Sequence, residues 1–313
     1  GECVYDPFVG SGTTLVEANT FGCAAIGSDV SAFNCLLCEV KTEDWSLGSL
    51  ELGLKGALEA SRRLGSRGTD DASGWLKEWY SVGALHDLLA YRDVIGRLDP
   101  STARVARVIL SRAARSARLT THFDLDFPKA PVRDAYFCHK HKRTCRPVPE
   151  ASKFLGRYTL DTVRRLREFS LLRQDQRVEV IHGDARRLGL PLEPSGIITS
   201  PPYPGLIDYH EQHRYAYELL GLEDRREDEI GTASKGRSRS ALSEYQLGMI
   251  EVFKNAAAQM RSGSAVVVVV NDSKDIYPAI LDGAGLVLED RLTRHVNRRT
   301  GRRAGEFYED VLV

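Results

Sequence analysis

The stretch Val4-Tyr5-Asp6-Pro7-Phe8-Val9-Gly10-Ser11-Gly12-Thr13-Thr14 decides the fold. Val4-Tyr5 closes a short apolar strand, Asp6-Pro7 breaks it, and Gly10-Ser11-Gly12 turns the chain into a helix. The apolar spacing of Leu15, Val16 and Ala18 carries that helix from Thr13 to Phe21. A second buried strand, Ala24 to Asp29, ends on an acid, and Ser31 to Val40 reads as the next helix. Strand, glycine loop, helix, strand and acid, in that order, open a nucleotide-type α/β unit. Glycines after a strand let a ligand approach the backbone and leave helix N–H groups free for polar atoms. A P-loop needs Gly-Lys-Ser/Thr, but Thr13-Thr14 follow Gly12; the dinucleotide fingerprint needs a third Gly or Ala where Leu15 stands. What remains is a cofactor without a pyrophosphate, with Asp29 placed to accept ribose hydroxyls. A glycine-rich turn alone is equally an ordinary βα connection.

Outward from this opening, residues 41–173 change to long charged helices without clear strands. Leu50 to Leu64, Gly74 to Leu98 and Thr102 to Arg118 are examples. Strands resume at Val178 to Ile181 and Gly196 to Thr199, and the polar, Gly/Ser-bearing stretch 224–240 reads as a mobile loop. A helix from Leu242 to Met260, the buried strand Ala265 to Val270, and two strands, Leu286 to Val296 and Phe307 to Val313, follow. The expected fold is α/β: a seven-stranded Rossmann-like sheet with a terminal antiparallel hairpin and a largely helical insertion. Residues 1–40 and 174–313 form the first domain and 41–173 the insertion.

The chain of 313 residues is 42% hydrophobic and 27% charged, the balance of a globular protein with a real core. Its longest pure apolar run, Val266 to Val270, is far short of the ~20 residues that span a bilayer, so no membrane partner is expected. It opens at Gly1 without a basic-then-apolar leader, and six scattered cysteines suit a reducing cytoplasm. Net charge is zero, but its distribution is uneven. Residues 1–60 hold nine acidic and two basic side chains, and 101–150 hold eleven basic and four acidic. A second basic knot comprises Arg291, Arg294, Arg298, Arg299, Arg302 and Arg303. Clustered cations, not net charge, bind a polyanion, because each neutralised phosphate releases counterions locally. For any single run, a solvated helix face is the plainer account.

The second informative stretch is Thr199-Ser200-Pro201-Pro202-Tyr203, directly after an apolar strand. Neither proline donates to a sheet ladder, so the pair is costly for packing alone. Its merit is a rigid carbonyl that, with the Ser200 hydroxyl, accepts both protons of an exocyclic amine. That frees the nitrogen lone pair to attack an electrophilic methyl group, with Tyr203 as an aromatic face for a flipped-out base.

Together the two motifs resemble those of the amino-methylating DNA methyltransferases, which use S-adenosylmethionine to methylate cytosine N4 or adenine N6. Asp6–Thr14 matches the family's Asp-Pro-Phe-x-Gly-Ser-Gly-Thr-Thr loop, and Ser200–Tyr203 its Ser/Asp-Pro-Pro-Tyr/Phe motif. The resemblance covers roughly residues 1–40 and 178–313. It implies S-adenosylmethionine around Asp6, Pro7, Phe8, Gly10, Ser11, Gly12, Thr13 and Thr14, with the ribose at Asp29 and Val30. Asp184 and Ala185, in His182-Gly183-Asp184-Ala185, would meet the adenine. Ser200, Pro201, Pro202 and Tyr203 would be catalytic, and serine at position 200 leans toward cytosine N4. Adenine N6, or a catalytically silent DNA-binding subunit of the same fold, are the alternatives. A further cofactor segment that relatives carry beside the glycine loop is not recognisable and is expected before Gly1.

Double-stranded DNA is the expected partner, held by Lys140, Lys142 and Arg143 and by the tip Arg298, Arg299, Arg302 and Arg303, with 224–240 closing over the groove. A cognate restriction endonuclease is a second candidate partner, and the resemblance places the protein in a prokaryotic cytoplasm at the nucleoid. Cytosine C5 chemistry is excluded, since it needs a thiolate nucleophile, usually after proline, and none of Cys3, Cys23, Cys35, Cys38, Cys138 and Cys145 follows one. Cys138-His139-x-His141-x3-Cys145 and Cys35-x-x-Cys38 offer zinc-type ligands, but the first spacing is not that of a standard finger. No metal is expected; buried thiols and a basic loop are the preferred account. The stretch Ile207 to Tyr215 is a pocket wall or an amphipathic helix with Tyr215, Leu219 and Leu220 inward, and Asn271-Asp272 is a pocket candidate.

Overall fold

The computed structural model describes residues 2–64, 68–122, 128–296 and 308–313. It opens with β1 (Cys3–Asp6), α1 (Thr13–Thr20), β2 (Ala24–Asp29) and α2 (Ala32–Thr42). Four helices follow, α3 (Leu47–Arg63), α4 (Gly74–Trp79), α5 (Val82–Ile95) and α6 (Pro100–Ala117). Next come the short strands β3 (Tyr136–Cys138) and β4 (Arg143–Cys145), then α7 (Ser152–Ser170). β5 (Val178–His182) and β6 (Gly196–Thr199) precede α8 (Tyr209–Gln212) and α9 (Arg214–Leu220). The remaining elements are α10 (Arg239–Ala257), β7 (Ala265–Val270), α11 (Tyr277–Gly283), β8 (Arg291–His295) and β9 (Tyr308–Leu312).

These elements form two units. The first comprises Gly1–Thr42, Arg173–Tyr209 and Asp224–Val313, and the second Glu43–Leu172 with His210–Glu223. The sequence division gave 210–223 to the first domain. Its helix α9 instead buries Tyr215, Ala216, Tyr217 and Leu219, and Arg118 after α6 lies 4.9 Å over the Tyr215 ring. That cation–π contact and apolar burial join the segment to the helical unit.

In the first unit the strand order is β5-β2-β1-β6-β7-β9-β8. Five strands are parallel, while β9 runs antiparallel to β7 and β8 antiparallel to β9. This is the expected seven-stranded Rossmann-like sheet with its terminal antiparallel hairpin. The valine run of β7 suits a strand covered on both faces, and Val268 and Val270 are buried with Tyr245, Phe253, Tyr277 and Ile280. Tyr5, Ile26 and Ile197, from three adjacent strands, form a second cluster. The chain lays β2 and β5 on one side of β1 and β6 and β7 on the other. The carboxyl ends of β1 and β6 therefore flank the topological switch point, where open α/β sheets bind ligands.

The second unit packs α3, α5, α6 and α7 on one another. The single helix expected over Gly74 to Leu98 is two helices, because Tyr80 is extended and the Ser81 hydroxyl accepts the Ala84 N–H, capping a new N-terminus. Asp99 caps α6 in the same way, followed by Pro100 in its first turn. The strands β3 and β4 lie where no strand was expected, each three residues long. Among the described residues no helix is long and apolar enough to cross a membrane.

Candidate active site

Asp6 sits at the carboxyl end of β1, buried, and its carboxylate joins the two sequence motifs. Oδ2 accepts the Thr14 hydroxyl at 2.7 Å, and Oδ1 accepts the Phe8 N–H at 3.1 Å and the Thr199 hydroxyl at 2.7 Å. Thr14 belongs to the glycine loop's helix and Thr199 to the strand that ends in the double proline. Burial pushes the Asp6 carboxyl up to about 6, against the lowering effect of these three donors.

The loop between β1 and α1 turns twice through left-handed backbone, at Gly10 (φ 50°) and Gly12 (φ 81°). A Cβ on Gly12 would stand 2.9 Å from Cys38 Sγ, so this position excludes a side chain by conformation and by space. Cys38 and Cys35 are thereby explained as buried helix thiols. Cys38 bonds the Gly10 carbonyl, and Cys35 the carbonyls of Asp29 and Ile181. Burial raises both, Cys38 to about 12.

At the end of β2, Asp29 Oδ2 accepts the Gly10 N–H at 2.9 Å and the Asn34 amide at 3.0 Å, while Oδ1 accepts the Ser31 N–H at 2.8 Å. Three of a carboxylate's roughly four acceptor positions are thus taken. Burial raises this carboxyl as well. Beyond β5, Asp184 is buried and held by Arg186, whose Nε lies 2.9 Å from both oxygens. Burial raises the Asp184 carboxyl, but its bonds to Arg186 outweigh that and leave it lowered.

One cavity receives these ends. Its wall includes Pro7, Phe8 and Gly10 from the glycine loop, Asp29, Val30 and Asn34 from β2–α2, Gly183, Asp184 and Ala185 after β5, and Ser200 and Pro202 after β6. Tyr209, Asp228, Glu229, Ile230 and Val252 complete it. Four carboxylates and no lysine or arginine line it, and two of the four are ion-paired, Asp184 with Arg186 and Asp228 with Arg225. Of the residues expected at the site, Asp6, Ser11, Gly12, Thr13, Thr14, Pro201 and Tyr203 lie outside the lining.

The double-proline corner is braced from behind. The Tyr245 hydroxyl donates to the Pro202 carbonyl at 3.0 Å and lies 2.6 Å from the Tyr277 hydroxyl. Asp272 accepts the N–H groups of Ile276 and Tyr277 at the start of α11, and Asn271 donates to the Tyr308 carbonyl. The pair Asn271-Asp272 is therefore framework, outside the cavity lining. Tyr203 packs against the core around Tyr245 and donates its hydroxyl to Glu309 at 3.3 Å; burial and Glu309 raise it to about 12.

The chain is 34% identical to the Type II methyltransferase M.MjaII of Methanocaldococcus jannaschii over 395 aligned positions, taking in 100% of this chain and 74% of that protein. It belongs to the DNA methyltransferase family. No family model and no solved structure matches the chain. Within this methyltransferase, Tyr209 falls in the stretch expected as a pocket wall, whereas sequence reading missed Asn34, Asp228, Glu229, Ile230 and Val252. Asn34 follows Asp29 by five residues, a spacing that carries no motif of its own. Glu229 and Ile230 come from the stretch read as a mobile loop; there Arg226–Asp228 and Ala233–Lys235 are single 3-10 turns, and Glu229 accepts the Tyr209 N–H at 3.2 Å.

The basic residues divide. Arg291 pairs with Asp275 and Asp310, and Arg294 with Glu309, so these two stiffen the sheet edge. Arg104 and Arg112 pair with Glu43 and Asp161. Lys140, Lys142 and Arg143, on the β3–β4 hairpin, are exposed and outside any ion pair of the described residues. Arg298, Arg299, Arg302 and Arg303 lie outside the described residues.

Proposed function

We propose that this DNA methyltransferase transfers a methyl group from S-adenosylmethionine to the exocyclic N4 of a cytosine in double-stranded DNA. The observation that carries methyl transfer to an amine is the single cavity that takes its wall from both motifs, Gly10 and Asp29 on one side and Ser200 and Pro202 on the other, and serine at position 200 favours cytosine N4. The Asp6–Thr199 hydrogen bond keeps those two corners together.

The cavity suits this cofactor in charge and shape. Its lining carries carboxylates and no cation, as a positively charged cofactor requires, and its apolar wall of Phe8, Val30, Ile230 and Val252 suits an adenine ring. Asp29 keeps an acceptor position for a ribose hydroxyl. Gly10 and the Asp184–Ala185 segment line the same space. When bound, the cofactor supplies an electrophilic methyl on sulfur. The chain's own part is to orient the amine. The Ser200 hydroxyl and a carbonyl of the Pro201-Pro202 corner accept the two amine protons, and Tyr245 steadies that corner through the Pro202 carbonyl. The amine that takes the methyl would give up one proton to solvent water. Tyr203, anchored by Glu309, braces the corner.

Lys140, Lys142 and Arg143 hold phosphates, together with the tip Arg298, Arg299, Arg302 and Arg303. The relative's designation as a Type II methyltransferase supports a place in restriction–modification, with an endonuclease of the same specificity as partner. The reaction belongs in a prokaryotic cytoplasm, on nucleoid DNA. Incubation with duplex DNA and labelled cofactor, then mass spectrometry of the nucleosides, tests the reading. N4-methylcytosine is expected. N6-methyladenine would replace the base assignment, and cofactor binding without any transfer would leave a silent subunit.

A further inference from the structure

Four side chains of the helical unit converge where no metal was expected from sequence. They are His122, Cys138, His141 and Cys145, whose ligand atoms all lie within 4.8 Å of one another. Cys138 Sγ is 3.6 Å from Nδ1 of both His122 and His141, and Cys145 Sγ is 3.6 Å from His141 Nδ1. A tetrahedral zinc with Zn–S of about 2.3 Å and Zn–N of about 2.0–2.1 Å places S and N about 3.6 Å apart. Three of the edges of such a tetrahedron are therefore already at the length the ion demands.

The surrounding fold points the same way. β3 and β4 pair over three residues each, and only Cys138 and Cys145 of that ladder are buried, while Phe137, Arg143 and Thr144 are exposed. An isolated short hairpin is marginal in water and needs a staple where it has no apolar face. Its turn passes through Lys142 in left-handed backbone (φ 53°), with the Lys142 N–H on the Cys138 carbonyl at 2.8 Å. The fourth ligand is brought by the segment after α6. The Tyr136 hydroxyl accepts the His122 backbone N–H at 3.1 Å, which sets this residue beside the hairpin, and its 3.0 Å contact to Nδ1 would yield when that nitrogen turns its lone pair to the ion. The rings of His122 and His141 stand edge to face, 4.6 Å apart. His139, which the sequence grouped with these ligands, instead sets its ring against Phe137.

We infer that His122, Cys138, His141 and Cys145 form a structural Zn²⁺ site that staples the β3–β4 hairpin to the segment after α6. Two thiols and two imidazoles favour zinc over magnesium or calcium, which take oxygen ligands. Four protein ligands close the coordination sphere, as structural rather than catalytic zinc requires. Binding releases the two thiol protons to solvent, and the two thiolates balance the ion's charge.

The test uses the full chain. Elemental analysis of protein purified in reducing buffer without added chelator should find about one zinc per chain. Cobalt(II) added to zinc-stripped protein should give the intense visible bands of a tetrahedral site, with sulfur-to-cobalt charge transfer. Cys138→Ser and His122→Ala should lose most of the zinc, whereas Cys35→Ser and Cys38→Ser, whose thiols lie under the glycine loop, should keep it. The wild-type cobalt spectrum stands without the variants, should any of them misfold. Octahedral cobalt bands, zinc retained in full by Cys138→Ser and His122→Ala, or a Cys138–Cys145 disulfide in unreduced protein would each overturn the site.

Discussion

The cavity of the sheet unit and the hairpin of the helical unit solve the same problem, holding polar groups close together, by opposite means. At the cavity, carboxylates are fixed by many ordinary hydrogen bonds from a buried sheet: Asp6 has three donors and Asp29 three. At the hairpin the ladder is three residues long, and two thiols and two imidazoles converge beside it. A site built on a sheet inherits its precision from the strands, whereas a site on a short exposed ladder needs its own fastening. The comparison predicts that damage to the first should be read in turnover, and damage to the second in DNA affinity and metal content.

The largest effect is expected at the double-proline corner. Ser200→Ala and Pro201→Ala should each lower the single-turnover methylation rate by about 10²–10³-fold, in the range lost with one preorganised polar contact, while calorimetry finds cofactor affinity nearly unchanged. Full activity in both would dissolve the contrast. Next comes the hairpin. Lys140→Ala, Lys142→Ala and Arg143→Ala combined should flatten the slope of log affinity for duplex DNA against log salt by roughly 0.9 per lost phosphate contact. The maximal rate at saturating DNA should hold, and an unchanged slope would remove the hairpin from the DNA surface.

Gly12→Ala should destabilise the fold by roughly 1–3 kcal/mol in urea titrations. Adding Cys38→Ala should return only the steric share, because φ stays at 81°. Asp6 gives a pH signature. Its carboxyl is raised from the ordinary 3.8 to about 6, so between those values the folded chain holds a proton that the unfolded chain has lost. Its contribution to stability therefore falls as pH rises from about 4 to 6 and is level above that window. Measured against Asp6→Asn, the wild type should lose roughly 3 kcal/mol across it; a gain would reverse the assigned direction. Smallest of all, Tyr245→Phe should cut the maximal rate roughly threefold with KM unchanged, since it removes one hydrogen bond behind Pro202.

The fold was readable because its signals are local. Gly10, Gly12 and the valines of β7 reveal a turn and a buried strand through their own chemistry, and the alternation of strand and helix does the rest. The helical break at Ser81 was missed because the apolar rhythm runs through it; the capping hydroxyl shows only when Tyr80 is seen to be extended. Half of the cavity was likewise readable, from Gly10, Asp29, Asp184 and Ser200. Glu229 and Ile230 were not, since a polar, glycine-bearing stretch looks the same whether it waves in solvent or folds into a wall. His122 was invisible for a further reason: it lies 16 positions before Cys138, and pairing across that gap is set by tertiary structure. Arg291 and Arg294 teach the converse, since two cations in a basic run belong to ion pairs along β8 and β9.

The bond between Asp6 and Thr199 has a consequence for how the protein comes into being. Its partners are 193 positions apart, so the two halves of the cavity wall are never neighbours while β1 is leaving the ribosome. At roughly 5–20 residues per second, β1 waits about ten to forty seconds for the strand that completes its flank. During that interval its open edge and the apolar residues beside it are a target for chaperones, and methylating competence arrives only with the later part of translation.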